Sequence, residues 1–140
     1  MTGAYLEDLE IGQTAELKRT VAEADLRAFA EVTGDANPVH LDEAYAAASP
    51  FKGRIAHGML SAGYISAVLG TQLPGPGAIY VSQALSFRRP VRIGDEVTAQ
   101  VKVTAIDAAR ARVTFETACT VGGKTVVEGE AVVAVPRRPA

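Results

Sequence analysis

The sequence predicts one α+β domain spanning residues 1–140, in which an antiparallel sheet curls around a single buried helix, and three observations predict it. A chain of 140 residues, 48% apolar and 21% charged, suits one hydrophobic core. From Ile55 to Phe87 there is no Asp, Glu, Lys or Arg, and the first part of that run, His57 to Gly70, has the length of a helix and not of a membrane span. Four runs with strand character then follow between Ala78 and Val135. A thin apolar helix followed by strands packs well when the sheet wraps the helix.

Thr14 to Thr20 reads as a short first strand after a turn at Leu9-Glu10-Ile11-Gly12. Thr20-Val21-Ala22-Glu23 has the form of a capping box, and Leu26, Phe29, Ala30 and Thr33 follow at helical spacing until Gly34 ends the helix. Asp42 is placed to cap a short helix through Tyr45 to Ala48, which Ser49-Pro50 stops. In the uncharged helix, Gly58, Ser61, Ala62, Gly63, Ser66, Ala67 and Gly70 leave room for other backbone, while Met59, Leu60, Tyr64, Val68 and Leu69 supply bulk. Leu73-Pro74-Gly75-Pro76-Gly77 turns the chain into a meander of strands. Ala78 to Phe87 is expected to bury Ile79, Val81, Leu85 and Phe87 on one face, and Glu96 to Ala105 to bury Val97, Ala99, Val101 and Val103. Arg112 to Val121 and Lys124 to Val135 are joined by Gly122-Gly123, a two-residue hairpin signal.

The chemistry concentrates in Gly34-Asp35-Ala36-Asn37-Pro38-Val39-His40. Pro38 disfavours the α region for Asn37, so the stretch reads as a loop. A helix would turn Asp35 and His40 about 140° apart, whereas an irregular turn lets a carboxylate and an imidazole share one water and exchange protons with it. The same residues also read as a helix-ending glycine, two turn formers and a packed histidine, and the stretch alone leaves both readings open. An EF-hand order beginning Asp35, Asn37 would need Gly at the sixth place, where His40 stands, so no metal is expected.

The formal charge of −2 and the lack of a Lys/Arg run argue against nucleic acid or an anionic membrane as partner. No signal-peptide pattern opens the chain, and the single Cys119 fits a reducing compartment, so a cytoplasmic location is expected.

Four blocks in order carry a family likeness: Asp35-Ala36-Asn37-Pro38-Val39-His40-Leu41-Asp42; Ile55-Ala56-His57-Gly58-Met59-Leu60; Leu73-Pro74-Gly75-Pro76-Gly77-Ala78-Ile79-Tyr80; and Leu85-Ser86-Phe87-Arg88-Arg89-Pro90-Val91 with Gly94-Asp95-Glu96-Val97. From Leu9 to Val135 the chain resembles the MaoC-like hydratases of the hot-dog fold, above all the short (R)-specific enoyl-CoA hydratases that supply monomers for polyhydroxyalkanoate synthesis. The resemblance implies a five-stranded antiparallel sheet wrapped round a central helix, and a homodimer joined edge to edge. It also implies a trans-2-enoyl-CoA substrate, hydrated to the (R)-3-hydroxyacyl product without a cofactor. Asp35 and His40 match the family's catalytic pair. On this reading Asp35 acts as base toward the water and His40 as acid toward carbon, though the two titrate as a unit and the opposite assignment stays open.

Gly58, opening the helix, is expected to offer backbone N–H groups to the thioester oxygen. Asn37 either orients the pair or forms the turn. Ser66 either holds the carboxylate or water, or bonds back to its own helix. Tyr64 and Leu69 are candidates for limiting acyl length, His57 is read as a packing residue at the helix start, and Arg88 and Arg89 as solvated cations or contacts for coenzyme A phosphates. Two rival readings are a hot-dog acyl-CoA thioesterase and a non-catalytic acyl-binding or heterodimer subunit.

Overall fold

The computed structural model describes residues 2–140. Its elements are a short 3-10 turn at Leu6–Asp8, then β1 (Thr14–Thr20), α1 (Glu23–Thr33), α2 (Pro38–Leu41), α3 (Glu43–Ala47), α4 (Gly58–Thr71), β2 (Ile79–Phe87), β3 (Glu96–Asp107), β4 (Arg112–Val121) and β5 (Lys124–Ala134). The strands form one antiparallel sheet in the order β1-β3-β4-β5-β2. This is the expected hot-dog arrangement, with α4 packed on the sheet, chiefly on β3 and also on β1, β4 and β5.

The core follows the predicted alternation. Val97, Ala99, Val101 and Val103 of β3 are fully buried, as are Val113, Phe115 and Cys119 of β4, and they meet Ile65, Val68 and Leu69 of α4. The β4–β5 hairpin turns on Gly122 and Gly123, both at positive φ (57° and 79°), which is what a tight two-residue turn between right-twisted strands requires.

Three expectations are corrected. The strands after α4 do not form a simple meander: β1 occupies the edge of β3, and β2 pairs instead with β5 at the far side of the sheet. That placement leaves β2 an edge strand, and a bulge between Tyr80 and Ser82 disturbs its alternation. Ile79, Val81 and Phe87 are consequently 66%, 51% and 55% exposed and do not form the expected buried face. Second, α1 is not capped by Thr20 and Glu23. It starts at Glu23, and the Asp25 carboxylate accepts the Ala22 N–H at 2.8 Å, which frees Glu23 for an ion pair. Third, the polar stretch is not loop throughout. Asn37 caps α2 by accepting the Val39 N–H at 3.2 Å, and Pro38 occupies the first helical position, where its missing N–H costs nothing.

The smallness of α4 also has a different explanation from the one expected. A Cβ added at Gly63 or Gly70 would meet nothing within 4 Å, so no backbone of the same chain comes close there. Met59, Gly63, Ser66 and Gly70 recur at helical spacing along one exposed stripe, while Ser61, Ile65, Val68 and Leu69 face the sheet.

Gly129 marks the closest approach of β5 to β2: a Cβ there would lie 1.8 Å from the Ala84 carbonyl oxygen. Gly129→Ala is expected to destabilise the fold by at least about 1–3 kcal/mol, because backbone must move to accept it. Denaturant unfolding with an unchanged midpoint would contradict this.

Candidate active site

The site is built where α1 ends, α2 begins and α4 starts. Gly34 terminates α1 in the left-handed conformation (φ 84°), its N–H donating to the Ala30 carbonyl at 2.8 Å, and thereby turns the chain toward Asp35. The Asp35 carboxylate is exposed and accepts the Asn37 N–H at 3.3 Å. His40 follows on α2 and is buried. Its Nδ1 lies 2.7 Å from the Ile55 carbonyl oxygen. Because a carbonyl only accepts, Nδ1 carries the hydrogen, and Nε2 is left as the nitrogen available for proton exchange.

Residues 54–57 form a strap across this turn. Arg54 Nε donates to the His40 carbonyl at 2.8 Å, the Ile55 N–H donates to the Val39 carbonyl at 3.3 Å, and His57 Nε2 donates to the Asp35 carbonyl at 2.9 Å. The strap is itself tied to the remainder of the fold by the Ala56 N–H, which donates to the Val91 carbonyl at 2.7 Å. Arg54 also pairs with Glu23 of α1 at 3.0 Å. That hydrogen bond first, and Arg27 second, hold the Glu23 carboxyl below the usual carboxylate range. The pair therefore supports the folded chain at neutral pH, and its contribution fades as the pH falls through the lowered Glu23 value.

Asp35, His40 and His57 each bring one oxygen or nitrogen within 4.8 Å of the others. The two imidazoles are stacked, with centroids 3.8 Å apart and planes 28° apart. Each imidazole commits one nitrogen to a backbone carbonyl, Nδ1 of His40 and Nε2 of His57, so each has a single nitrogen left over, and that of His57 is buried.

Two clefts flank the start of α4. The first, about 480 Å³, is lined by His57, Gly58, Ser61, Phe87, Arg88 and Arg89 among others. The second, about 570 Å³, runs between α1, the exposed stripe of α4 and β2, lined by Phe29, Met59, Ser66, Tyr80, Gln83 and Leu85 among others. Met59 and Phe87 line both and stand between them. No side chain caps α4, and of its first-turn N–H groups that of Leu60 donates to the His57 carbonyl at 3.0 Å, which leaves those of Gly58 and Met59. A Cβ on Gly58 would fall 2.6 Å from the Phe87 ring, so only glycine leaves this helix end open.

The structure thus brings Asp35 and His40 together with His57, the neighbour of Gly58; Gly58 lines the first cleft and Ser66 the second, while Asp35, Asn37 and His40 line neither. The Asn37 side chain takes the turn-forming role, capping α2, and it is the Asn37 backbone N–H, not the side-chain amide, that meets the Asp35 carboxylate. Tyr64 and Leu69 line neither cleft. Leu69 is 2% exposed in the core, and Tyr64 is partly buried against it, with burial first among the causes that push its hydroxyl above the ordinary tyrosine range. Both side chains face inward because α4 turns its narrow stripe, and not its bulky face, toward the clefts. Sequence reasoning missed Arg54 altogether and placed His57 only in packing. The adjacency of His57 to Gly58 was the one available signal.

A family profile described as MaoC like domain matches residues 8–127. The chain belongs to the MaoC-like family. Among relatives of this MaoC-like chain, the (R)-specific enoyl-CoA hydratase of Rhodospirillum rubrum is 60% identical over 96% of the chain and 93% of its own length. The enzyme of the same name from Aeromonas caviae is 49% identical, over 93% and 98%. Among solved structures, the unliganded R-hydratase PhaJ1 from Pseudomonas aeruginosa superposes with a TM-score of 0.92 at 48% identity, covering 97% of this chain and 88% of that one.

Replacing Leu69 with alanine in this MaoC-like core is expected to cost about 2–5 kcal/mol of stability. Thermal unfolding checks that cost. Because Leu69 lines neither cleft, the relative turnover of octenoyl and crotonyl thioesters is expected to stay unchanged in the same variant.

Proposed function

We propose that the chain is an (R)-specific enoyl-CoA hydratase, a hydro-lyase that adds water to a trans-2-enoyl-CoA to give the (R)-3-hydroxyacyl-CoA and catalyses the reverse dehydration. The observation that carries this reading is the meeting of an exposed carboxylate and an oriented imidazole, Asp35 and His40, beside the open N-terminus of α4. It is supported by the names of relatives that are 49% and 60% identical over nearly the whole chain.

Each part has a chemical task. The water oxygen forms a bond to the β carbon as one of its protons passes to the Asp35–His40 pair. The double-bond electrons move toward the thioester, whose oxygen gains negative charge, and the pair returns a proton to the α carbon. In our assignment Asp35 takes the proton from water as His40, in its imidazolium form with Nδ1–H kept on the Ile55 carbonyl, gives its Nε2 proton to the α carbon, and the proton on Asp35 then passes to His40 Nε2 to restore the pair. The developing oxyanion is held by N–H groups at the start of α4, where the positive helix end adds to the hydrogen bonds. Ser66 on the second cleft wall and Asn37 at the turn are assigned to substrate and water positioning. Coenzyme A belongs to the substrate, and no cofactor or metal enters the scheme.

A homodimer completes this proposal. The outer edge of β2 and the exposed Ile79, Val81 and Phe87 form an apolar border beside the narrow stripe of α4, and an unprotected edge of this kind invites pairing with a second copy. No helix among the described residues is long and apolar enough to cross a membrane, and a cytoplasmic placement fits the single buried thiol, whose pKa burial pushes up to about 12.

Asp35→Asn and His40→Gln are each expected to lower kcat by roughly 10²-fold or more, with the double variant little worse than either single one because the pair works as a unit. Loss of enoyl absorbance measured alongside thiol release distinguishes hydration from thioester hydrolysis. A folded Asp35→Asn protein with near-normal hydration would refute the mechanism. Light scattering at micromolar concentration is expected to give the mass of a dimer, and a stable monomer would count against that assembly.

A further inference from the structure

We propose that His57 is a positioning residue for this reaction, holding the Asp35 main chain in place and backing the His40 ring, and that it exchanges no proton with substrate. The inference rests on the hydratase reading. His57 is 2% exposed and precedes Gly58 at the start of α4. Its Nε2–H is taken by the Asp35 carbonyl at 2.9 Å. Its Nδ1 is buried with no partner among the described residues, so neither nitrogen is presented to a reactant. One aromatic neighbour is His40, at 3.8 Å between centroids, and another is Phe29, at 4.6 Å.

The need for such a residue follows from the turn. Asp35 comes directly after a left-handed glycine, a position with wide rotational freedom. Its own N–H is held only by the Thr33 hydroxyl at 3.1 Å, and its carboxylate is bonded to the next turn of the same segment. Among these bonds, His57 to the Asp35 carbonyl alone ties that residue to α4, which the core anchors. The strap bonds from Arg54 and Ile55 fix Val39 and His40 but not Asp35. Without the His57 donor, His40 would keep its place while Asp35 shifted relative to it. A misplacement of about 1 Å in a reacting group is enough to lower a rate by roughly 10²-fold. The buried, unpartnered Nδ1 argues that something other than packing retains an imidazole, since phenylalanine would fill the same space without burying a bare nitrogen.

Two variants separate the roles. His57→Phe keeps an aromatic face against His40 and removes the donor, and His57→Gln keeps an amide donor at a similar reach and removes the ring. With crotonyl-CoA, His57→Phe is expected to lose roughly 10- to 100-fold in kcat with little change in KM, and His57→Gln to recover a substantial part. By NMR, exchange of the Asn37 amide, which reports the Asp35 carboxylate, is expected to accelerate in His57→Phe. Full kcat per folded molecule in His57→Phe, or an Asn37 amide that exchanges as slowly as before, would overturn the inference. Should His57→Phe fail to fold, the unsubstituted protein still decides it. A slowly exchanging ring proton on His57 Nε2 with a cross-peak to Asp35 is expected, and its absence refutes the bond. Failure of the hydratase reading looks different: the unsubstituted protein would not hydrate crotonyl-CoA, while the ring proton and the Asn37 exchange would still report on positioning.

Discussion

The hydrogen bonds between residues 54–57 and the turn at 35–40 are the constraint through which the core reaches the chemistry. A turn that contains a left-handed glycine and a four-residue helix has little rigidity of its own, because a single helical turn does not repay the order it demands. Its geometry is set from outside. Ile55 and Arg54 hold the His40 end, His57 holds the Asp35 end, and the segment doing the holding leads directly into α4. Since α4 is packed on four strands, the acid–base pair inherits the stiffness of the most buried part of the molecule.

The same bonds select chemical states as well as positions. A carbonyl cannot donate, so each imidazole must carry its hydrogen on the nitrogen facing the backbone, and the reactive nitrogen of His40 is thereby the one left over. Arg54 adds a nearly buried cation behind the turn, itself paired with Glu23, so that α1, α2 and the strap are joined by one side chain. With the Glu23 carboxylate half exposed, such a pair adds little net stability, and its stronger effect is on orientation.

A second constraint runs along the open side of α4. The helix buries one face against the sheet and leaves a stripe of Met59, Gly63, Ser66 and Gly70 beside the edge strand β2. The clefts lie along this side, and Phe87 and Met59 divide them. The glycine at position 58 answers to the same crowding, since its Cα sits against the Phe87 ring. Access to the site and the outer surface of the chain are therefore shaped by the same few residues.

Features with a short sequence range were legible from the residues alone. The helix end at Gly34, the Asp42 cap, the Gly122-Gly123 hairpin and the buried face of β3 each depend on neighbours within a few positions, and each was found where local rules put it. The proximity of Asp35 and His40 was suggested by their spacing about Pro38, and the family motif identified them as a pair. Other features depended on partners far away in the chain. The pairing of β2 with β5 follows from β1 having taken the edge of β3, and the inward direction of Leu69 and Tyr64 follows from which face of α4 the sheet covers. Arg54 and His57 gain their roles only from carbonyls at His40 and Asp35, 14 and 22 positions distant. Local chemistry determined which residues are able to react, while tertiary packing decided which nitrogen, carbonyl and helix face each of them meets, because those contacts exist only once distant segments share one core.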